Sequence, residues 1–197
     1  MKKKGNEKEL TLPTTSQLEK ELKRVKFNSR YKKLLKSTVY VILIVVALSV
    51  LVATLVLPIL QIYGSSMEPT LSEGNIVVTV KKSDFKSGDI IAFYYNNRIL
   101  VKRIVAKSSE WVNIDEDGNV FINDKLLDEP YLKEKYYGEV DIEFPYQVPE
   151  DTYFVLGDER KLSVDSRNSE IGCISSEDII GKVIFNVWPI KEFGIIN

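Results

Sequence analysis

Residues 38–60 form an uncharged stretch of 23 residues dominated by Val, Leu and Ile, and no other feature constrains the fold as strongly. As a helix that rises about 1.5 Å per residue, this stretch can cross a hydrocarbon layer of roughly 30 Å. A domain this small has no room for a core helix of that length. A cleavable signal peptide, for which Ala47-Leu48-Ser49 would supply the small residues, normally has a shorter apolar core. We therefore predict a membrane-spanning helix that acts as an anchor.

Basic residues are concentrated on one side of this stretch, and the next one after it is Lys81. The positive-inside rule therefore predicts residues 1–37 as a cytoplasmic basic tail, residues 38–60 as a single-pass helix and residues 61–197 as an extracytoplasmic domain of a cell-membrane protein. The preceding basic residues are Lys20, Lys23, Arg24, Lys26, Arg30, Lys32, Lys33 and Lys36.

The tail itself contains a helix-start pattern. Ser16-Gln17-Leu18-Glu19 fits a capping box, and Leu18, Leu22 and Val25 follow at helical spacing. This pattern predicts a short basic helix on the inner leaflet of the phospholipid bilayer, where anionic lipid would attract it. A solvated charged tail fits the same residues equally well.

The chain beyond residue 75 has the pattern of a β domain. Its apolar runs are short, rich in β-branched and aromatic residues, and separated by turn residues at 73–75, 87–89, 96–97 and 117–118. We predict a mostly β fold with an antiparallel sheet, a few short helices, and a small inserted lobe at 107–149, where Asp, Glu and Tyr are frequent. The predicted strands are 76–80, 90–94, 99–106, 111–114, 120–122, 153–156 and 182–187.

The composition removes several kinds of chemistry. The chain contains no histidine and one cysteine, Cys173, which excludes Ser-His-Asp and Cys-His enzymes and zinc sites built from Cys and His. Cys173 follows Ile171-Gly172 and reads as a small core residue. A formal net charge of −1 points to no nucleic-acid partner. A hydrolase of this composition must use Lys, Asp, Glu or Tyr.

A calcium site is the one metal site that the sequence suggests. Residues 113–118, with Asp124 six residues beyond Gly118, loosely fit an EF-hand loop. No flanking helices are predicted, and Asp117-Gly118 between two strand-like runs is typical of a hairpin. We predict a turn here, and no metal or cofactor.

Residues 64–71, Gly-Ser-Ser-Met-Glu-Pro-Thr-Leu, lie shortly after the apolar stretch. Gly64 and Pro69 suit a sharply turning backbone, and the segment alone could be a turn at the membrane exit. Its serines become nucleophiles only if a base removes a proton, and without histidine that base is a lysine whose pKa is lowered by burial.

Lys102 is the lysine that best fits this role. It lies in a strand-like apolar run, where alternation places it on the same face as Leu100 and Ile104. An edge-strand lysine that protects against aggregation is the alternative. A third polar segment, 157–167, contains alternating acids, hydroxyls and arginines, of which Asp165 and Arg167 could pair. By itself it could equally be a charged surface loop.

Together these segments resemble the bacterial type I signal peptidases. The boxes are Ser-Met-x-Pro-Thr-Leu from residue 66, Gly-Asp-Ile from 88, Lys-Arg-Ile-Val from 102, and Gly-Asp-x-Arg with Ser-x-Asp-Ser-Arg from 157 and 163. All the boxes of that family are present, in order. The resemblance implies a membrane-bound Ser-Lys endopeptidase that removes signal peptides at small-x-small sites.

The resemblance also implies a role for individual residues. Ser66, rather than Ser65, is the expected nucleophile and Lys102 the expected general base. Ser163 is expected to hydrogen-bond the lysine amine. The residues expected to support the site are Asp158, Asp165, Arg167 and Arg103, and those expected to contact substrate are Ile62, Met67 and Val101.

The sequence departs from the family at two positions. Gly64 stands where Gram-negative members have a serine that donates to the oxyanion, as is usual in Gram-positive members, and Glu159 stands where Asn is common. The implied partners are preproteins in the membrane, the phospholipid bilayer and the secretion translocon.

Three other functions share features with this sequence. A self-cleaving repressor of related fold would carry a DNA-binding helix-turn-helix instead of a membrane span. A β-lactamase or penicillin-binding protein would need Ser-Asp-Asn and Lys-Thr-Gly in addition to the Ser-x-x-Lys at 83–86. A dedicated or non-catalytic homologue that assists assembly of surface fibres such as pili remains the alternative.

Overall fold

The computed structural model describes residues 14–82 and 84–196, without the side chains of residues 52–56. Within this part of the chain there is one α-helix, α1, and the rest is β-structure with two short 3₁₀ helices, Ser176–Asp178 and Ile190–Glu192. The strands are β1 Ile59–Gln61, β2 Ile76–Val80, β3 Ile90–Tyr95, β4 Arg98–Lys107, β5 Trp111–Ile114, β6 Val120–Ile122, β7 Lys125–Leu126, β8 Tyr146–Gln147, β9 Thr152–Leu156, β10 Ile174–Ser175, β11 Ile179–Trp188 and β12 Gly194–Ile195.

Helix α1 runs without interruption from Thr15 to Val56. Among the described residues it is the one helix long and apolar enough to cross a membrane, with a mean hydropathy of 2.4 in its apolar window. It ends at Val56 because Pro58 cannot continue a helix, so Ile59 and Leu60 of the predicted span lie in β1 instead. The basic segment is thus the first part of one long helix and not a separate short one.

The start of α1 differs from the predicted capping box. The Thr14 backbone N–H donates to Gln17 Oε1 at 3.0 Å, which is half of a capping box two residues before the predicted one at Ser16 and Glu19. Thr14 and Gln17 have the same residue chemistry and spacing as the predicted pair, so sequence alone could not choose between them.

The described residues from 53 onward form one compact unit. Its main sheet has the order β1-β2-β11-β3-β4-β9-β10, with β12 also paired to β11, and each of these pairs is antiparallel. The seven strands predicted from apolar runs are all present. The prediction of an antiparallel β fold is confirmed, although five strands of two or three residues, β1, β7, β8, β10 and β12, were missed.

A second, four-stranded sheet, β7-β6-β5-β8, lies within residues 107–149. It packs on the main sheet through a shared core in which Val112 and Val120 meet Phe154 and Leu156. Cys173 packs half-buried against the same core, and burial raises the pKa of its thiol. Arg167 reaches into the lobe's irregular part, which brings the lobe next to the polar segment 157–167.

The suggested calcium loop is a hairpin turn between β5 and β6. Asp115 accepts bonds from the Asn119 backbone N–H at 2.8 Å and side-chain amide at 2.9 Å, and these bonds lower the pKa of that carboxyl. Lys135 donates to Asn119 Oδ1 at 2.8 Å. Among the described residues no group of three acids, Cys or His is arranged to hold a metal ion.

Candidate active site

Ser66 and Lys102 meet in the structure. Ser66 lies in the turn that follows β1, and Lys102 lies in the middle of β4, opposite Ile91 of β3. The Lys102 Nζ is 2.7 Å from the Ser66 Oγ. The Lys102 side chain is almost wholly enclosed, with 3% of the residue exposed, as the alternation with buried Ile104 predicted. An amine and a hydroxyl are therefore in direct hydrogen-bonding contact at a site with little water.

Burial lowers the pKa of Lys102 from 10.5 to about 8. Desolvation of the ammonium is the main cause, and the nearby Arg167 acts in the same direction, while Asp165 and Asp158 oppose the shift. A lysine with this pKa is neutral in roughly a tenth of the molecules at pH 7 and in about half of them at pH 8. It can then accept a proton, which an ordinary surface lysine does rarely.

Asp158 and Arg103 form a buried ion pair beside this contact. Arg103 Nε and Nη2 donate to the two Asp158 oxygens at 2.9 and 2.8 Å, and Arg103 Nη1 donates to the Gly88 carbonyl at 2.8 Å. Thr70 Oγ1 donates to Asp158 Oδ2 at 2.5 Å. Because Arg103 follows Lys102 and Thr70 follows the turn of Ser66, this pair connects the strand of the lysine to the segment of the serine.

Asp165 and Arg167, which the sequence allowed to pair, form a second buried ion pair. Arg167 Nε and Nη2 donate to the two Asp165 oxygens at 2.8 and 3.0 Å. Arg167 Nη1 also donates to the Tyr137 carbonyl at 2.8 Å, and Asp165 Oδ2 accepts the Gly157 N–H at 3.0 Å. Segment 157–167 is therefore an ordered polar network and not a loose surface loop.

Ser163 is placed next to this network, but the structure shows no bond from it to Lys102. Its Oγ is buried and has no hydrogen-bond partner among the described residues. An ideal Cβ on Gly157 would lie 2.2 Å from Ser163 Oγ and 2.5 Å from the Ser66 carbonyl oxygen, so these three residues are in close contact. The hydroxyl is near the serine turn without a role in the hydrogen bonding seen here.

A cleft of about 680 Å³ opens beside Ser66 and Lys102. It is lined by residues 59–64, 66–67 and 97–102. Ile62 and Met67 form part of its wall and are buried in one apolar cluster, and the half-buried Val101 packs against that cluster. The three residues predicted to contact substrate therefore do lie together, in the cleft that also contains the serine and the lysine.

Comparison with known proteins decides the family. A family model described as signal peptidase, peptidase S26, matches residues 35–188. The chain belongs to this family. Signal peptidase I of Bacillus amyloliquefaciens is 37% identical over 162 residues, which are 77% of this chain and 86% of that protein. Signal peptidase I U of Bacillus subtilis is 36% identical over 177 residues, 82% of this chain and 93% of that protein.

The crystal structure of a signal peptidase I from Enterococcus faecalis is 30% identical and has a TM-score of 0.44, covering 50% of this chain and 96% of that one. Family membership confirms the resemblance inferred from the sequence boxes. The chain is a signal peptidase, a membrane-bound serine endopeptidase that removes signal peptides from preproteins. The comparisons give no support to the alternative of surface-fibre assembly.

Three residues of this signal peptidase site were missed by sequence reasoning. Arg160 Nη2 donates to the buried Glu129 carboxylate, and the ring of Tyr131 lies 3.9 Å from the Arg103 guanidinium. Arg160 stood within the polar segment 157–167, so its position gave a signal. Glu129 and Tyr131 gave none, because they lie in a stretch rich in other acids and tyrosines.

The departure at Glu159 has a simple structural explanation. Its backbone N–H donates to the Ser66 carbonyl at 3.0 Å, and its backbone carbonyl accepts the Ser163 N–H at 3.1 Å. Both contacts use main-chain atoms, so any residue at this position can make them. Gly64 has a φ of +82°, a conformation that a serine would adopt only with strain.

Adding a methyl group at Gly157 is expected to damage catalysis. The new Cβ would overlap Ser163 Oγ and the Ser66 carbonyl, so Ser66 would have to shift. A displacement of the nucleophile by about 1 Å lowers kcat by about 100-fold. Gly157→Ala and Gly194→Ala would be compared in a preprotein cleavage assay, since a Cβ at Gly194 meets no atom within 4 Å. Equal rates in the two variants would contradict the close packing around Ser66.

Activity of the signal peptidase is expected to rise with pH through about 8, the pKa of Lys102. Below this value the amine is an ammonium and accepts no proton, so kcat/KM falls about tenfold per pH unit. Above it the amine is neutral and the rate levels off. The measurement is kcat/KM for one preprotein across this range, and a rate that stays constant from roughly pH 6 to 9 would rule out an essential base with this pKa.

Proposed function

We propose that this signal peptidase cleaves preproteins outside the cytoplasm, after small-x-small sequences, with Ser66 as nucleophile and Lys102 as general base. One observation carries the proposal: the Lys102 Nζ lies 2.7 Å from the Ser66 Oγ while the lysine is buried. A buried amine in contact with a hydroxyl is the arrangement that activates a serine when no histidine is present.

The chemistry follows from that contact. Neutral Lys102 takes the Ser66 proton as Oγ bonds to the scissile carbonyl carbon, and the carbonyl oxygen becomes an oxyanion facing the Ser66 backbone N–H. When the C–N bond breaks, the Lys102 ammonium gives its proton to the departing amine. A water then attacks the ester, losing a proton to Lys102, which returns it to Ser66 Oγ as the signal peptide leaves.

The preprotein binds as an extended strand in the cleft. Strand β4 pairs with β3 from Arg98 to Arg103, but on its other side β9 pairs with it only from Arg103 onward. In the described part of the chain, residues 98–102 therefore have one unpaired edge, which ends at Lys102. A peptide that adds along this edge presents its scissile bond to Ser66 and Lys102, which form the proposed catalytic dyad. Ile62, Met67 and Val101 supply the apolar wall for its small side chains.

The supporting residues act by holding the two reacting side chains in place. The buried pair of Asp158 and Arg103 ties the strand of Lys102 to the segment of Ser66 through Thr70. The buried pair of Asp165 and Arg167 holds segment 157–167, in which the Glu159 N–H donates to the Ser66 carbonyl. Ser163 is assigned as a hydrogen-bond partner of the lysine amine. Its support is a buried hydroxyl, without a partner among the described residues, that lies against Gly157, as the Ser66 carbonyl also does.

The topology is part of the proposal. Residues 1–37 are the cytoplasmic tail, 38–60 contain the membrane anchor, and 61–197 are the catalytic domain, with 107–149 as its inserted lobe. The excess of Lys and Arg before the apolar stretch supports this orientation. Anionic lipids of the bilayer attract that basic segment, and the secretion translocon supplies the preproteins.

The test uses the full chain in lipid vesicles with a preprotein that carries Ala at −1 and −3 from the cut. Cleavage at that bond is expected, and replacing the −1 Ala with Phe is expected to lower kcat/KM by at least about tenfold, because the proposed specificity is for small side chains at −1. Replacing the −2 residue with Phe is the matched control and should leave the rate nearly unchanged. Equal cleavage of all three preproteins would overturn the small-x-small specificity.

A further inference from the structure

The segment Glu129-Pro130-Tyr131, in the irregular part of the small lobe, contacts two arginines of the site. Arg160 donates to the Glu129 carboxylate through both Nη1, at 3.4 Å, and Nη2. The Tyr131 ring lies 3.9 Å from the Arg103 guanidinium, a cation–π distance. The Tyr131 hydroxyl donates to Glu129 Oε1 at 2.8 Å, which joins the two contacts into one unit.

One of the two arginines, Arg160, lies beside the loop that contacts Ser66, and the other, Arg103, lies next to Lys102 in β4. Arg160 Nε donates to the Gly157 carbonyl at 3.0 Å, in the segment whose next residues hold the Ser66 carbonyl. Arg103 directly follows Lys102 in β4 and pairs with Asp158. The segment 129–131 thus bridges the loop that holds the serine and the strand that carries the lysine.

The bridge is buried and strongly bonded. Glu129 is 7% exposed and Arg160 is 2% exposed, and each satisfies the charge of the other. Burial and the neighbouring Glu129 raise the pKa of the Tyr131 hydroxyl, so this group remains a neutral donor at working pH. A buried pair of this kind adds little net stability, but its hydrogen bonds allow few alternative geometries.

We propose that Glu129 and Tyr131 are positioning residues: they clamp Arg160 and Arg103 and so keep Ser66 and Lys102 in reacting contact. This inference rests on the proposed dyad. Neither residue lies in the lining of the substrate cleft. Their loss should therefore affect the chemical step and leave substrate binding intact.

The clamp is also expected to affect the pKa of Lys102, because that pKa depends on the exclusion of water from the amine. The charged groups that act on the Lys102 amine are Asp165, Arg167 and Asp158, and desolvation outweighs them. When the clamp opens, water reaches the amine and its pKa returns toward the ordinary value. The acid limb of the rate profile then moves to higher pH, which a loss of folded protein cannot cause.

The test compares Tyr131→Leu and Tyr131→Phe in the full chain in vesicles. Glu134→Gln is the control, because Glu134 is an exposed carboxylate in the same irregular part of the lobe. Tyr131→Leu removes the ring over Arg103 and is expected to lower kcat about 30-fold with KM changed less than about twofold. Tyr131→Phe keeps the ring, and a loss of no more than about fivefold is expected.

Glu129→Gln keeps the size of the side chain and most of its hydrogen bonds to Arg160. It therefore removes the negative charge without creating a cavity. It is expected to lower kcat less than Tyr131→Leu does, because only the charge and the bond from Arg160 Nη1 are lost. Wild-type kcat in folded Tyr131→Leu and Glu129→Gln, with an unmoved acid limb in Tyr131→Leu, would overturn the clamp, and so would a rise in KM at constant kcat. If the wild type itself fails to cleave, the fault lies in the proposed function and not in the clamp.

Discussion

Replacing Lys102 with Met is expected to abolish peptidase activity while the protein becomes more stable. Met has a similar length and no charge, so it fills the same apolar space but accepts no proton. Loss of a general base lowers kcat by about 100- to 10,000-fold, and the dyad assignment places this variant near the upper end. The measurements are the rate of preprotein cleavage and the Tm of the full chain in detergent.

The stability gain follows from the lowered pKa of Lys102. Between about 8 and 10.5 the unfolded chain holds a proton that the folded site has lost, so stability rises with pH across this window. Below about 8 the folded protein bears the whole cost of burying an ammonium. Lys102→Met removes that cost, and its gain in Tm should therefore be largest at neutral and acidic pH.

Lys107→Met is the matched control, because Lys107 is an exposed lysine at the end of the same strand. It is expected to cleave at the wild-type rate and to leave Tm nearly unchanged. Cleavage by Lys102→Met within a few fold of wild type would show that another group removes the serine proton.

Replacing Arg167 with Met is expected to lower the free energy of unfolding by about 3–5 kcal/mol, more than any other substitution proposed for this protein. Arg167 is 2% exposed, and Asp165, at 1%, would be left as a buried charge without its partner. The carbonyls of Tyr137 and Arg160 would each lose a donor as well. Chemical denaturation of the full chain in micelles measures the change.

Two further variants separate charge from packing. Asp165→Asn added to Arg167→Met removes the unpaired charge while an amide oxygen can still accept the Gly157 N–H, so the double variant should be more stable than Arg167→Met alone. Lys161→Met, at an exposed position of the same segment, should change stability by less than about 0.5 kcal/mol. Equal stability of Arg167→Met and Lys161→Met would contradict a buried ion pair at this site.

The parts of the site that sequence could predict are those with a local pattern. Lys102 was assigned to a buried face because strand alternation relates it to Ile104, two residues away, and the structure buries both. Asp165 and Arg167 were named as a possible pair because acids and arginines alternate in their segment, and the structure pairs them. The boxes around Ser66 and Lys102 predicted the family, which the comparisons confirm, while the roles of the two residues stay predictions.

The parts that sequence missed depend on contacts between distant residues. Glu129 meets Arg160, 31 residues away, from a segment without helix or strand, so no periodicity marks it. The close packing of Ser163 against Gly157 is another such contact, while the bond expected from Ser163 to Lys102 stays a prediction. The end of α1 at Val56 was misjudged because Ile59 and Leu60 are as apolar as the helix before them.

The most direct test of the dyad is cleavage of one vesicle-bound preprotein by the wild type, Ser66→Ala and Ser65→Ala. The two serines are adjacent and chemically identical, so the comparison isolates the hydroxyl that touches Lys102. The dyad predicts cleavage by the wild type and by Ser65→Ala, and none by Ser66→Ala. Cleavage by Ser66→Ala at the wild-type rate, or loss of cleavage in Ser65→Ala alone, would contradict it.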